Sequence, residues 1–136
     1  MRYLFFFILS FFSIITLGQN IKKHQWKNRV LLVISNDQNN GQLKKQFLLL
    51  EEHPKELIER KLVVYCFLKN KYQYNFKGDW KPSTKFKNEK GAFKVLLVGL
   101  DGGVKLQQDS VLSTEKLFTI IDGMPMRKRE LQKNKK

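Results

Sequence analysis

The prediction of the fold rests on the stretch FKVLLVGLDGGVKL, which occupies residues 93–106. Residues 93–100 form a nearly continuous apolar run, which is typical of a strand that is buried on both faces of a sheet. The Asp-Gly-Gly triplet at 101–103 is a tight-turn signal, and residues 104–106 begin another strand. We therefore expect an antiparallel hairpin here.

Two similar apolar runs precede this hairpin. They are VLLVI at residues 30–34 and LVVYCFL at residues 62–68, and both have the length and composition of buried strands. Between them the apolar residues change to helical spacing from Gln42 onward, and Pro54 kinks or restarts that helix. Two strands joined by a helix indicate a βαβ unit with a right-handed crossover.

The segments after each unit are less regular. Residues 107–112 lead to Ser113, a suitable cap for a helix that ends at Gly123 and Pro125. In the connection at 69–92, Tyr72, Tyr74 and Phe76 alternate like a short edge strand. Ser83 is a candidate cap for a helical turn around Phe86.

The order of the elements predicts an α/β fold, a βαβ unit followed by a ββα unit. We expect a central four-stranded mixed sheet with helices on both faces, which is the thioredoxin-like arrangement.

The first 18 residues have the three parts of a secretory signal peptide. Arg2 supplies the positive charge, residues 3–17 the apolar core, and Thr16 and Gly18 the small residues before a cut at Gln19. The alternative is an uncleaved anchor, but a membrane-spanning helix needs about 20 apolar residues. We expect an exported protein, periplasmic or extracellular, with a domain at 19–126 and a basic tail at 127–136.

The positive charge of the chain favours anionic partners. Removal of the signal peptide takes only Arg2 from the net charge of +14, which leaves +13. Such a field attracts phospholipid headgroups, polyanionic glycans or nucleic acid. The cations are mostly lysines, which are strongly hydrated and specify little, so a basic composition without any partner is an equal alternative.

The chain lacks the residues of several familiar active sites. Cys66 is its single cysteine, so no dithiol follows the first strand in the loop 35–41, where thioredoxin-like enzymes carry it. The loss of the thiolate removes disulfide exchange. We interpret Cys66 as a buried hydrophobic residue, with a thiol peroxidase-like role as the alternative. His24 and His53 are far apart and have no second ligand at metal spacing, and we expect no cofactor or metal.

Several strings of this sequence resemble one known family. Gly99-Leu-Asp-Gly-Gly-Val-Lys105 and Met124-Pro-Met-Arg127, together with Trp26-Lys-Asn-Arg-Val-Leu-Leu-Val33, are similar to the domain of unknown function 4174 family. The resemblance covers residues 26–130. It implies a thioredoxin-like fold in exported bacterial proteins, and it implies no activity. The chain departs from the family pattern at Leu100, where many members have lysine.

These observations lead to a binding function as the first hypothesis. We predict a non-catalytic exported domain that binds a protein or a polyanionic envelope component, or a membrane surface peripherally; nucleic acid is not expected. The alternative is a single-cysteine enzyme that uses Cys66. The residues assigned to binding belong to the turn and the Met-Pro-Met-Arg string: Asp101, Gly102, Gly103, Lys105 and Arg127.

Overall fold

A computed structural model describes residues 19–83 and 93–135 of the chain. The helices are α1 (Gln19–Lys22), α2 (Gly41–Glu51), α3 (Pro54–Glu59), α4 (Thr114–Asp122) and α5 (Pro125–Asn134). The strands are β1 (Arg29–Ser35), β2 (Leu62–Phe67), β3 (Lys71–Tyr74), β4 (Lys77–Pro82), β5 (Phe93–Val98) and β6 (Val104–Gln108).

The strands form one mixed sheet in the order β4-β3-β2-β1-β5-β6. Strands β1 and β2 are parallel, as the predicted βαβ unit requires, and every other neighbouring pair is antiparallel. The α/β class is therefore confirmed. The expectation of a four-stranded sheet is wrong, because residues 71–82 form a β-hairpin that extends the sheet beyond β2.

The hairpin predicted from residues 93–106 is present as β5 and β6. Its turn is closed by the Gly99 N–H, which donates to the Gly103 carbonyl at 2.9 Å. Gly102 adopts a φ of +84°, a conformation that glycine reaches without a steric penalty. The Asp-Gly-Gly triplet is thus explained by the turn itself.

One face of the sheet carries the main helical layer. Alternate residues of the central strands, such as Leu31, Val64 and Val95, point to this face, as the period of a strand requires. They pack against Leu50 of α2 and Leu117 of α4. The intervening residues of the same strands point to the opposite face and form a second core there. Burial on both faces explains why these strands are apolar without alternation.

The second core has less helical cover than expected. In the described part of the chain, helix α1 contributes only Ile21 to it, and Tyr72 packs at its side. The prediction of helices on both faces therefore needs correction: α2, α3 and α4 share one face, and the four-residue α1 is the helix seen on the other.

Local capping explains where the helices begin. The Asn40 side chain accepts hydrogen bonds from the N–H groups of Gln42 and Leu43 at the start of α2. Pro54 separates α3 from α2 and occupies the first turn of α3. Ser113 caps α4 as predicted, through a bond from the Lys116 N–H. Helix α4 ends at Gly123 as predicted, with Gly123 as its C-cap. The segment interpreted as a basic tail is mostly helical instead, because it lies in α5.

Some predictions fall outside the described residues. The signal peptide at 1–18, the turn around Phe86 and the residues just before β5 belong to this group. None of the helices in the described ranges combines the length and the apolar character needed to cross a membrane.

Candidate functional site

Four of the five residues assigned to binding lie together at the β5–β6 turn. Lys105 Nζ pairs with Asp101 Oδ2 at 2.8 Å, and the Gly103 N–H donates to Asp101 Oδ1 at 2.9 Å. The lysine contact, followed by the Gly103 bond, holds the pKa of Asp101 below its usual value. Gln25 donates to the Asp101 carbonyl at 3.0 Å and so attaches the turn to the chain before β1.

Arg127 lies elsewhere, inside an ion-pair cluster. It is only 1% exposed, and its guanidinium donates to the Asp122 carboxylate at 3.2 Å and to Glu59 Oε1 at 3.1 Å. Arg60 contacts the same Asp122 carboxylate at 2.9 Å. Burial works against ionisation of Asp122, but the two arginines outweigh it and lower its pKa. Arg127 thus holds α5 against the end of α3, and the sequence assignment of Arg127 did not foresee this contact.

A second buried arginine was missed by the sequence analysis. Arg29 is 0% exposed; it donates to the Arg60 carbonyl at 2.8 Å and to the Glu130 carboxylate at 3.3 and 3.4 Å. Arg29 is the first residue of an apolar strand, and a charged residue at that position is normally expected to be exposed to solvent. The partners that make its burial possible, the Arg60 carbonyl and the Glu130 carboxylate, lie far from it along the chain.

Two cavities, each of about 270 Å³, flank the β5–β6 turn and share Gly99 and Asp101. The first lies beside α1 and includes His24, Asn28 and Gly102 in its wall. The second, which we call the α5 cavity, lies between the turn and the start of α5. Its wall consists of Arg29, Gly99, Leu100, Asp101, Lys105, Met124, Pro125 and Met126.

Cys66 is held in the core of the sheet. It lies next to the last residue of β2, is 3% exposed, and packs with the cluster under α2 and α4. Burial raises the pKa of its thiol to about 12. A thiolate nucleophile needs exposure and a lowered pKa, and this position supplies neither.

His24 joins a buried aromatic group on the second face. Its Nδ1–H donates to Asn28 Oδ1 at 3.3 Å, which leaves Nε2 to accept from the Tyr65 hydroxyl at 2.7 Å. Burial lowers the pKa of His24, and burial raises the pKa of Tyr65 to about 12. Both groups therefore stay neutral near pH 7, and the pair secures the chain before β1 to β2.

The β3–β4 hairpin forms a basic groove with residues from the start of the domain. This hairpin groove, of about 190 Å³, is lined by Lys23, Tyr72, Tyr74, Lys77, Gly78, Asp79 and Lys81. Lys77, Asp79 and Lys81 are alternate residues of β4, so they face the same side of the sheet. Lys23 lines the same groove, and its Nζ lies 6.0 Å from the centre of the Tyr74 ring.

The groove combines three ammonium groups with one carboxylate. Its aromatic rings are already engaged: Tyr74 stacks on His24 at 5.9 Å and Tyr72 on Phe67 at 5.5 Å between ring centres. The arrangement can attract an anion by charge, while the tyrosines supply a rigid floor. Within residues 19–83 and 93–135, no three His, Cys, Asp or Glu side chains come together as a metal site.

Comparison with known proteins gives one match. The sequence profile described as Domain of unknown function (DUF4174) matches residues 20–130, which is most of the chain. No curated protein and no solved structure matches the chain.

Proposed function

The chain belongs to the family of Domain of unknown function (DUF4174), and from that premise we propose that it is an exported, non-catalytic domain that binds a polyanionic component of the cell envelope. The binding surface of the proposal is the hairpin groove with Lys23, Lys77 and Lys81. Phosphate-rich lipid surfaces and envelope polymers are the ligands whose chemistry fits.

The proposal includes a thioredoxin-like core. Strands β6-β5-β1-β2, with β1 and β2 parallel and β5 and β6 antiparallel to their neighbours, support this reading. In such a core the dithiol would follow β1. There the chain has a loop without cysteine, and the Asn40 side chain occupies the first N–H groups of α2. This composition supports a binding role rather than a redox role.

The convergence of lysines from two distant segments carries the proposal. Lys23 precedes β1, whereas Lys77 and Lys81 lie on the far edge of the sheet, yet all three border one groove. Asp79 is the one acid among its lining residues, so the lining has a net charge of +2. Like charges placed together repel one another, and an anion bound between them would relieve that repulsion.

The type of side chain indicates a diffuse anionic surface. The cations of the groove are lysines, which act as hydrated point charges rather than as bidentate forks for one defined group. Tyr72 and Tyr74 each stack on a protein ring, which occupies one face of each tyrosine. A thiol enzyme is not part of the proposal, because the Cys66 thiol is buried and its pKa is raised to about 12.

Vesicle binding tests this function. The protein should bind vesicles of phosphatidylglycerol and phosphatidylcholine, and not vesicles of phosphatidylcholine alone, with an affinity that falls steeply as salt rises. Replacing Lys23, Lys77 and Lys81 together by Gln should weaken binding about tenfold or more and flatten the salt dependence. Inorganic polyphosphate, as a soluble polyanion, should compete with the vesicles.

The matched control replaces Lys44, Lys45 and Lys55 by Gln. These exposed lysines lie on α2 and α3, so the variant has the same net charge without a change in the groove. If the two triple variants lose the same amount of vesicle affinity, binding depends on the overall positive charge and not on the groove. Binding only to an acidic protein, and not to vesicles or polyphosphate, would reject the envelope surface in favour of a protein partner.

Export is tested separately. The N-terminus of the protein recovered outside the cytoplasm should be Gln19, and its intact mass should lack residues 1–18. A membrane-bound species that retains those residues would show that they act as an uncleaved anchor and not as a cleaved signal peptide.

A further inference from the structure

The α5 cavity contains a buried cation with an unused donor. Arg29 is 0% exposed and lines the cavity; among the described residues its Nε–H has no hydrogen-bond partner. Its other two guanidinium nitrogens contact Glu130 at 3.3 and 3.4 Å. An unsatisfied donor on a buried charge costs free energy, because the group has given up its hydrogen bonds to water without a replacement. A ligand oxygen that comes within hydrogen-bond distance of this nitrogen would remove that cost.

Glu130 compensates Arg29 only in part. The same carboxylate accepts from Arg127 at 3.5 Å and lies 4.0 Å from Lys61 Nζ. Glu130 is therefore shared among several cations, and its two contacts with Arg29 are long for charged hydrogen bonds.

The N-terminus of α5 opens on the same cavity. Met124 is the N-cap residue and makes no side-chain cap hydrogen bond, and Pro125 occupies the first turn. The N–H groups of Met126 and Arg127 in that first turn have no acceptor within the helix. Because the partial positive charge of a ten-residue helix is concentrated at this end, it favours an anion.

Lys105 supplies a second cation at the rim. A Cβ on Gly99 would lie 2.6 Å from Lys105 Cε, so glycine is required for the lysine stem to cross the strand end at this point. The ammonium is now paired with Asp101 at 2.8 Å. Asp101 is therefore a competitor for any anion that enters.

The rest of the wall is apolar. Leu100, Met124, Pro125 and Met126 contribute most of it, and methionine adapts readily to ligands of different shape. The cavity volume of about 270 Å³ is sufficient for a small organic molecule. We propose that the α5 cavity binds a small organic carboxylate with an apolar body, its carboxylate at Arg29 Nε and the start of α5 and its body against the methionines.

This site is independent of the hairpin groove, so either proposal can fail alone. Two sources of the same chemistry are possible: a free acid of medium chain length and the carboxyl terminus of a peptide with an apolar last residue. Octanoate represents the first and N-acetyl-leucine the second.

Methionine methyl groups report on occupancy directly. The chain has three methionines, and two of them, Met124 and Met126, line the cavity. With ¹³C-methyl methionine, octanoate or N-acetyl-leucine should shift both signals with a dissociation constant below about 1 mM. The more strongly bound acid identifies the source. Octanol and octylamine, which lack the carboxylate, should bind at least about tenfold more weakly.

Three variants test the geometry. Arg29→Lys keeps the charge but removes the Nε–H and should weaken octanoate binding about tenfold. Asp101→Asn removes the competitor at Lys105, retains an acceptor for the Gly103 N–H, and should strengthen binding about threefold. Lys128→Gln, which removes an exposed positive charge on α5 outside the cavity wall, should leave binding unchanged.

The opposite effects of Arg29→Lys and Asp101→Asn separate a specific site from loss of folding. Since Asp101 is exposed, its variant is expected to fold even if Arg29→Lys does not. Absence of shifts with both acids, equal binding of octanol and octanoate, or weaker binding in Asp101→Asn would each overturn the proposal.

Discussion

At the scale of single residues, burial decides what the titratable side chains of this protein can do. Cys66 lies in the central part of the sheet, and His24 lies under Tyr74 beside the Tyr65 hydroxyl. In both cases the low-dielectric environment favours the neutral form, because a charge there loses its hydration. Cys66 and His24 therefore contribute to packing and hydrogen bonding inside the fold.

Cys66 should react slowly with a thiol reagent in the folded protein and rapidly in denaturant. The thiol is 3% exposed and its pKa is about 12, so a thiolate is both rare and inaccessible. The rate of labelling by Ellman's reagent, with and without urea, measures this. Fast labelling of the native protein, or peroxide consumption that disappears in Cys66→Ala, would restore the thiol-enzyme hypothesis.

The His24 pair should make stability depend on pH. Burial lowers the pKa of His24 below 6.5 in the folded state. At pH values between the lowered pKa and 6.5, the unfolded chain therefore binds more protons than the folded protein. The contribution of His24 is complete above about pH 6.5 and decreases as the pH falls toward the lowered pKa. Urea denaturation at about pH 7.5 and about pH 5 should show a lower free energy of unfolding at the acidic value.

His24→Gln should reduce this pH dependence, and His53→Gln provides the control. His53 is half-buried on the other side of the sheet, where its ring contacts Phe118. If both variants keep the dependence of the wild type, the acidic loss arises from carboxylates instead of His24.

At the scale of elements, α5 is attached through charge rather than through an apolar face. Its sequence is strongly polar, and its one buried residue is Arg127, which contacts Glu59 of α3 and Asp122 of α4. The guanidinium spans three helices with one planar group, a geometry that lysine cannot reproduce.

Arg127→Ala should lower the free energy of unfolding by about 3 kcal/mol. It removes the buried cation that both Asp122 and Glu59 contact; the partial exposure of both acids keeps the loss at the low end for buried pairs. Arg129→Ala, an exposed position on the same helix, should change stability by less than about 0.5 kcal/mol. Chemical denaturation checks both, and equal effects of the two variants would contradict a specific cluster.

At the scale of the whole molecule, the dominant feature is the net charge of +14. The three-arginine cluster is balanced internally by Glu59, Asp122 and Glu130. Most of the remaining lysines are exposed in the described ranges, and their mutual repulsion opposes the compact state.

Added salt should therefore raise the melting temperature. Raising sodium chloride from about 0.02 M to about 0.3 M shortens the Debye length from about 20 Å to about 6 Å and screens the repulsion between exposed lysines. A rise of a few degrees in differential scanning calorimetry is expected. A fall in Tm would mean that the ion pairs of the arginine cluster, and not the surface lysines, dominate the electrostatics.

Much of the local structure followed from residue patterns. Continuous apolar runs identified β1, β2 and β5, the Asp-Gly-Gly triplet identified the β5–β6 turn, and Ser113 identified the start of α4. The alternation of Tyr72 and Tyr74 indicated the short strand β3, although Phe76 lies outside it. Strand β4 did not follow, because residues 77–82 have no apolar alternation. Pairing with β2 makes these segments strands, and that pairing is not visible in local periodicity.

The sequence by itself determined the strand and helix positions of the core, the absence of a dithiol and the sign of the charge. These properties depend on composition and on near neighbours along the chain. Only the tertiary structure placed Lys23 beside the β3–β4 hairpin, buried Arg127 among Glu59 and Asp122, and left Arg29 with an unused donor beside the start of α5. The physical reason is that each of these arrangements joins residues far apart in sequence. Such contacts form through the packing of whole elements, and no spacing along the chain records them.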